Sequence, residues 1–470
     1  MKTRLFLLCI AALSLAACGA STAPPATPEV ASVAATPKAE CGPGSHPETG
    51  LQGRVSQADH DAGLTAAGFT CNTEMVGSYI SPDYAGTGDP IGTVGGFKVL
   101  RYVDKAGHEC AYYDTTLLYP TNIFETMAGV NVMDMSDPSD PTPVDQLVTP
   151  AMLSPHESLV LSEERGVLAA VLGNPAFYPG SVDVYDISQD CRHPQPKAAA
   201  PVGVLGHESG MAADGLTFYS ADPATPTLTP VDLSDLTLPK PLTIVQVFSH
   251  GLSISDDGNR AYVAGSGSDK GLVILDTSEV QARKANPKVP VIARLTWDTI
   301  SIPQNAIPIT IKGHPYLVEI DEFGGGSKVG AGRIIDIGDE TKPAVVSELR
   351  LEVHDPANFA TIAKDPGASN PVGGYAGHYC SVPTRTDPAI VACSMILSGL
   401  RIFNIEDPLH PREVAYFNSP VHERLVTQPA PASNWAMSAP AFAPERNEIW
   451  YTDGYNGFYV VRVTNGAWPK

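Results

Sequence analysis

One strand pattern repeated seven times, a four-strand period and a matching pair of end strands predict an all-β protein. The fold is a seven-bladed β-propeller of four-stranded antiparallel blades, the last blade closed by the N-terminal strand. The pattern is a glycine, an apolar run and an aspartate before a small residue. It recurs as GVNVMDMSDP (129–138), SVDVYDIS (181–188), LTPVDLS (228–234), GLVILDTS (271–278), GRIIDIG (332–338), GLRIFNIEDP (399–408) and, degenerately, GFYVVRV (457–463). Between the signature positions Asp134, Asp186, Asp232, Asp276, Asp336, Asn404 and Arg462 the spacing is 44–68 residues, room for four short strands and their turns. The last signature strand has no partner after it, whereas EMVGSYI (74–80) resembles the outer strand REVAYFN (412–418). Pairing the first strand with the last removes the edge that an open array would expose.

Each element follows from local chemistry. After every signature strand comes a turn rich in Asp, Pro and Ser, then an outer strand, as in SDPSDPTPVDQLVT (136–149) and EDPLHPREVAYFN (406–418). Proline suits these turns because it fixes φ and donates nothing to a ladder. The signature aspartate is placed to cap the turn by accepting from backbone amides. Next comes the inner hairpin of the following blade: LVLSEERGVLAAV (159–171), MAADGLTFYSA (211–221), LSISDDGNRAYVAG (252–265), ITIKGHPYLVEI (309–320), SVPTRTDPAIVACSM (381–395) and FAPERNEIWYTD (442–453). Asp214-Gly215 and Asp257-Gly258 are the firmest turn signals, since glycine supplies the positive φ. Together with GFTCN (68–72), ECAYY (109–113), HGLSISDDGNRAYV (250–263) and HPYLVEIDEF (314–323), these repeats resemble the LVIVD-repeat β-propellers of secreted bacterial proteins, over residues 51–465. The resemblance implies the fold and a secreted location, and it brings no reaction with it.

Residues 1–17 carry Lys2 and Arg4 before an apolar run, the form of a secretory signal too short to span a bilayer. The run ends in Leu15-Ala16-Ala17-Cys18, which resembles the lipobox of bacterial lipoproteins and implies lipidation at Cys18. Gly19, in place of aspartate, favours the outer membrane, so the expected location is a membrane-anchored lipoprotein, periplasmic or on the outer-membrane face. Residues 18–50, rich in Pro, Ala and Thr, read as a disordered tether, leaving 51–470 for the propeller. Loss of Lys2 and Arg4 takes the formal charge from −21 to −23. So acidic a surface repels phosphate backbones and anionic headgroups, which excludes nucleic acid as a partner and leaves the membrane to the lipid anchor alone.

Six cysteines remain in the body, Cys41, Cys71, Cys110, Cys191, Cys380 and Cys393, an even number in an oxidising compartment. Cys380 and Cys393 flank one hairpin turn symmetrically and face each other across neighbouring strands. Cys71–Cys110 would join the closing strand to the first blade, and elimination leaves Cys41 with Cys191.

The first strand of every blade lines the channel, and these strands run in one direction, so equivalent positions share one height. Aligned on their turns, the hairpins bring His207, His250 and His378 to such a point. Glu157 or His156 falls there in blade two, Asn305 in blade five and Ser438 in blade seven, while blade one offers only Gly95 and Gly96. Glu208, directly after His207, points the other way. Three readings stand side by side. The channel mouth holds a small molecule or protein, with Glu157, Glu208 and Asn305 as binding residues. Alternatively His207, His250 and His378, with Glu157, hold a divalent transition metal (Zn, Cu or Fe) for a metal-dependent enzyme. Or the histidines only bond the neighbouring blade's backbone. Glu319, Asp321 and Glu322 form an acidic cluster beside a glycine run, with Glu319 and Asp321 on one face and Glu322 on the other. It lacks EF-hand spacing and is expected to be a solvated bulge. No GxSxG, HExxH or phosphate-binding glycine loop is present.

Overall fold

Each signature strand becomes the third strand of a blade, flanked on both sides within its own sheet and covered on both faces by adjacent blades. Val182–Asp186, Gly271–Asp276 and Leu400–Asn404 are accordingly buried almost throughout, which is why they read as unbroken apolar runs rather than alternating ones. The structure, a computed structural model, describes residues 34–80, 95–115, 129–172, 180–204, 206–325, 328–369, 374–421 and 433–469. The signal segment, Cys18 and the first part of the expected tether lie outside the described residues. Seven antiparallel sheets form seven blades in a ring. Their innermost strands are Val99–Val103, Val160–Ser162, Gly210–Met211, Ser249–Ile254, Ile302–Ile311, Tyr379–Ser381 and Ala441–Ala443, blades one to seven in turn. The cores are apolar seams between blades; one packs Tyr112, Val132, Leu168 and Tyr185 between blades one and two.

The ring closes as expected. Thr73–Tyr79 runs antiparallel to Gly457–Val463, from Thr73 opposite Val463 to Tyr79 opposite Phe458. The segment before it does something the repeats do not announce: Phe69–Cys71 adds a fifth strand to blade six, with Phe69 opposite Asn418. Asn72, at φ 54°, turns the chain from one blade to the next. Its side chain donates to the carbonyls of Glu40 and Val414 at 2.9 and 2.8 Å and accepts from Gly42 N–H at 2.8 Å.

Residues 36–50 are not a loose tether. Thr36 bonds the Arg350 and Glu348 carbonyls, and His46 pairs with Thr70. Glu48 receives Arg401 Nη2 at 2.7 Å, while the same fully buried guanidinium donates to Glu413 at 3.0 Å. A segment too polar for a core of its own has its carboxylate and amides satisfied against blades five and six.

Two disulfide assignments are corrected. Cys41 bonds Cys71, with Cα atoms 4.9 Å apart, and Cys110 bonds Cys191, at 6.0 Å. Cys71 belongs to the added strand on blade six, beside the 41–46 segment. The turn after blade two's third strand folds back on blade one, where Asp104 Oδ2 accepts from Cys191 N–H at 3.0 Å. Cys380–Cys393 forms as expected from strand pairing. The aspartate caps are also present: Asp134, Asp186 and Asp232 each accept from both the amide and the hydroxyl of the serine two residues on.

Candidate functional site

At one end of the channel the blade entries depart from regular strand geometry. In blade four a bulge between Ser249 and Gly251 re-aims His250, and in blade five a bulge between Pro303 and Asn305 re-aims Gln304. In blade two, His156 and Glu157 take left-handed backbone conformations, φ 39° and 71°, a region that non-glycine residues enter at a cost. The Ser158 hydroxyl holds this turn, lying 2.5 and 2.8 Å from the Pro155 and Val171 carbonyls and accepting from the Val171 N–H at 2.9 Å.

The re-aimed side chains meet on the axis. The His156 and His207 rings lie 4.5 Å apart and those of His207 and His250 4.2 Å apart; Phe97 from blade one lies 5.3 Å from His156 and 5.2 Å from His378. The three expected histidines each turn Nδ1 to a carbonyl of the next blade. His207 faces the His250 oxygen at 2.9 Å, His250 that of Pro303 at 2.7 Å and His378 that of Met437 at 2.7 Å. Carbonyls only accept, so in His250 and His378 Nδ1 carries the proton and Nε2 turns to the axis; the His207 Nδ1 also lies 2.9 Å from the Glu208 N–H and 3.1 Å from Glu157 Oε2, so in that ring Nδ1 meets the carboxylate. On the axis Glu322 Oε1 lies 3.4 Å from His250 Nε2, and Glu322 Oε2 and Glu157 Oε1 each lie 3.3 Å from His378 Nε2. Ligand atoms of His156, Glu157 and His207 lie within 4.8 Å of one another.

Glu157 crosses the axis from blade two. Its Oε2 accepts from Gln304 Nε2 and, at 2.9 Å, from the Tyr379 hydroxyl, with His207 Nδ1 at 3.1 Å. Burial alone would raise its pKa; the imidazoles of His207 and His378 reverse this and hold it well below the ordinary carboxylate range. Burial also opposes charge on His378, but its contacts with Glu157 and Glu322 outweigh it and raise the ring to about 10. Burial holds His207 well below the ordinary imidazole range, with Glu157 opposing. The cluster thus supports one charged imidazole and one neutral one around a shared carboxylate.

One residue further along the inner strands lies a buried pair, Lys98 Nζ to Glu208 Oε1 at 2.7 Å, with the ammonium 4.2 Å from the Tyr379 ring centre. Burial raises Glu208 to about 7, against the pull of Lys98. Beyond this pair the channel opens into a cavity of about 1000 Å³ that residues of all seven inner strands line, with Lys98, Glu208 and Asn305 at its inner end.

The structure brings some of the residues named from the sequence together and separates others. His207, His250, His378 and Glu157 come together, and Glu208 points away from them as expected. Asn305 does not join them: the bulge puts Gln304 in its place and leaves Asn305 on the cavity, its Nδ2 3.4 Å from the Cys380 carbonyl. Nor do the histidines line an open mouth: His250 and His378 are buried, and the His207 side chain is 11% exposed. Blade one contributes Phe97 and Lys98 rather than Gly95 and Gly96. The acidic cluster is not solvated: Glu319 and Asp321 bond the fully buried Arg333, while Glu322, on the opposite face, reaches the histidines. Glu322 was legible as the odd carboxylate of that alternation, and His156 as part of the His-Glu-Ser triplet shared by 156–158 and 207–209. Lys98, Gln304 and Tyr379 carried no signal.

No protein-family model matches the chain, and no curated relative matches it. Solved structures similar to it are propellers of low identity. One is a Bacteroides fragilis protein assigned as a 6-phosphogluconolactonase, 12% identical over 73% of this chain and 94% of that one, TM-score 0.47. Another is a periplasmic gluconolactonase of Pseudomonas aeruginosa, 12% identical over 71% and 95%, also at TM-score 0.47. At that distance they give this chain no substrate.

Proposed function

We propose that this propeller is a ligand-binding module of the bacterial cell envelope that holds a small molecule in its central channel. One observation carries the reading: a cavity of about 1000 Å³, blind at the Lys98–Glu208 end, runs among the seven inner strands. That is the size of a small-molecule site on a rigid scaffold. Its lining mixes apolar side chains (Leu100, Met211, Ile307) with Ser253, Ser381 and Arg385, which suits an amphiphilic ligand with a polar end. The lipobox-like segment at Cys18, the resemblance to LVIVD repeats and three disulfides support a place outside the cytoplasm. The imidazole geometry favours a second reading, a metal-dependent reaction at the ring, which requires that a metal be held there.

The test is native mass spectrometry of the protein purified from its own host's envelope. A retained small-molecule adduct that disappears in Ser253→Trp, with the fold intact by circular dichroism, is the expected result. A wild-type protein of bare mass, whose melting temperature no compound of a metabolite library shifts, overturns the reading.

A further inference from the structure

We infer that the buried ring binds one divalent first-row transition-metal ion, with ligands drawn from His207, His250, His378, Glu157 and Glu322 and with His156 beside them. The proposal stands apart from ligand binding in the cavity and rests on four features of the ring.

Orientation comes first. In metal sites the ligating histidine donates its other ring N–H to a carbonyl or carboxylate, which fixes the ring and presents the free nitrogen. His250 and His378 do this to the next blade's backbone, both at 2.7 Å.

Spacing comes second. With Nδ1 on a carbonyl, Nε2 is the atom left to face an ion; where no ion is bound, a charged His378 donates from Nε2 to Glu157 and Glu322, and a bound cation takes the place of that proton. Two atoms each about 2.0–2.1 Å from one zinc-like ion at the tetrahedral angle lie about 3.3–3.4 Å apart. The three Nε2-to-carboxylate separations are 3.4, 3.3 and 3.3 Å.

Charge is the third feature. Lys98 is taken by Glu208, and among the described residues neither Glu157 nor Glu322 has a lysine or arginine partner. Two buried carboxylates are what one divalent ion neutralises. Buried charge left unmatched is costly.

Support is the fourth. Gln304 and Tyr379 hold Glu157 Oε2, leaving Oε1 towards His378. Bulges and left-handed residues re-aim His250, Gln304, His156 and Glu157 against their strands' regular geometry. Imidazoles with carboxylates and no thiolate select zinc, copper, iron or nickel over calcium and magnesium.

The experiment uses the full chain. Protein purified without chelator is assayed by plasma mass spectrometry, then stripped and titrated with Co²⁺, whose visible absorption reports the ligand field. The expected result is about one ion per chain, a cobalt spectrum in wild type, and more than tenfold weaker Co²⁺ binding in His250→Gln and Glu322→Gln. His314→Ala, at the exposed pair with Asp336, should bind as wild type does. If His250→Gln does not fold, Glu322→Gln and the wild-type stoichiometry still decide. Fewer than a tenth of an ion per chain, with no melting shift on adding Zn²⁺, Co²⁺ or Cu²⁺, overturns the proposal and leaves the ring as protonated imidazoles paired with carboxylates. Cobalt bound equally by wild type and both ring variants overturns it as well.

Discussion

His354 shows how one buried side chain sets a response to acid. Its Nδ1 accepts the Leu351 amide hydrogen at 3.0 Å, and it is buried close to Arg350 and Arg401. Burial first, then those two cations, push its pKa down to about 3 from 6.5. The folded pKa is depressed, so between about 6.5 and 3 the unfolded chain binds the proton and the folded one does not. Stability from this residue is therefore present above about pH 6.5 and lost as pH falls. By pH 5 the loss reaches up to about 2 kcal/mol at 1.36 kcal/mol per pH unit. His354→Gln keeps an acceptor without the titration. Melting temperatures at pH 7.5 and 5 should fall less in the variant than in wild type; equal falls would refute this account.

At the scale of elements, the disulfides show how much a link depends on what it closes. Cys110–Cys191 spans 81 residues between two blades, whereas Cys380–Cys393 spans 13 within one hairpin. On loop-closure entropy the first contributes about 4.5 kcal/mol and the second about 3. Replacing both cysteines of each pair by alanine should thus lower the denaturation midpoint more for the Cys110–Cys191 pair. The reverse order would mean that packing under the 188–193 turn, not chain entropy, dominates. Carbonyl-to-imidazole bonds link blade three to four, four to five and six to seven without any covalent help, and the same bonds orient the histidines.

For the whole molecule the decisive event is closure. Thr73–Tyr79 completes blade seven while Phe69–Cys71 extends blade six, so one stretch bridges the seam between the last two blades. A chain lacking residues 1–80 would leave Gly457–Val463 as an uncovered edge. Such edges pair with other chains. Size-exclusion chromatography should find that truncated chain associated or aggregated. A stable monomer with the wild-type melting temperature would show that the closing strand contributes little.

The repeat pattern was enough to define blades, caps and closure, because strand periodicity and turn chemistry are local properties that a sequence states directly. Cys380–Cys393 was legible for the same reason: both cysteines belong to one hairpin. What Cys41, Cys110 and Glu322 touch depends on which blades adjoin at the seam and across the axis. Spacing along the chain does not encode that distance. The bulges at His250 and Gln304 and the left-handed turn at His156 and Glu157 shift side chains by one position, a choice made by packing against the next blade. So the sequence alone determined the ring and three of its histidines, while the tertiary structure alone decided which carboxylates meet them, how far they are buried, and where the cavity opens.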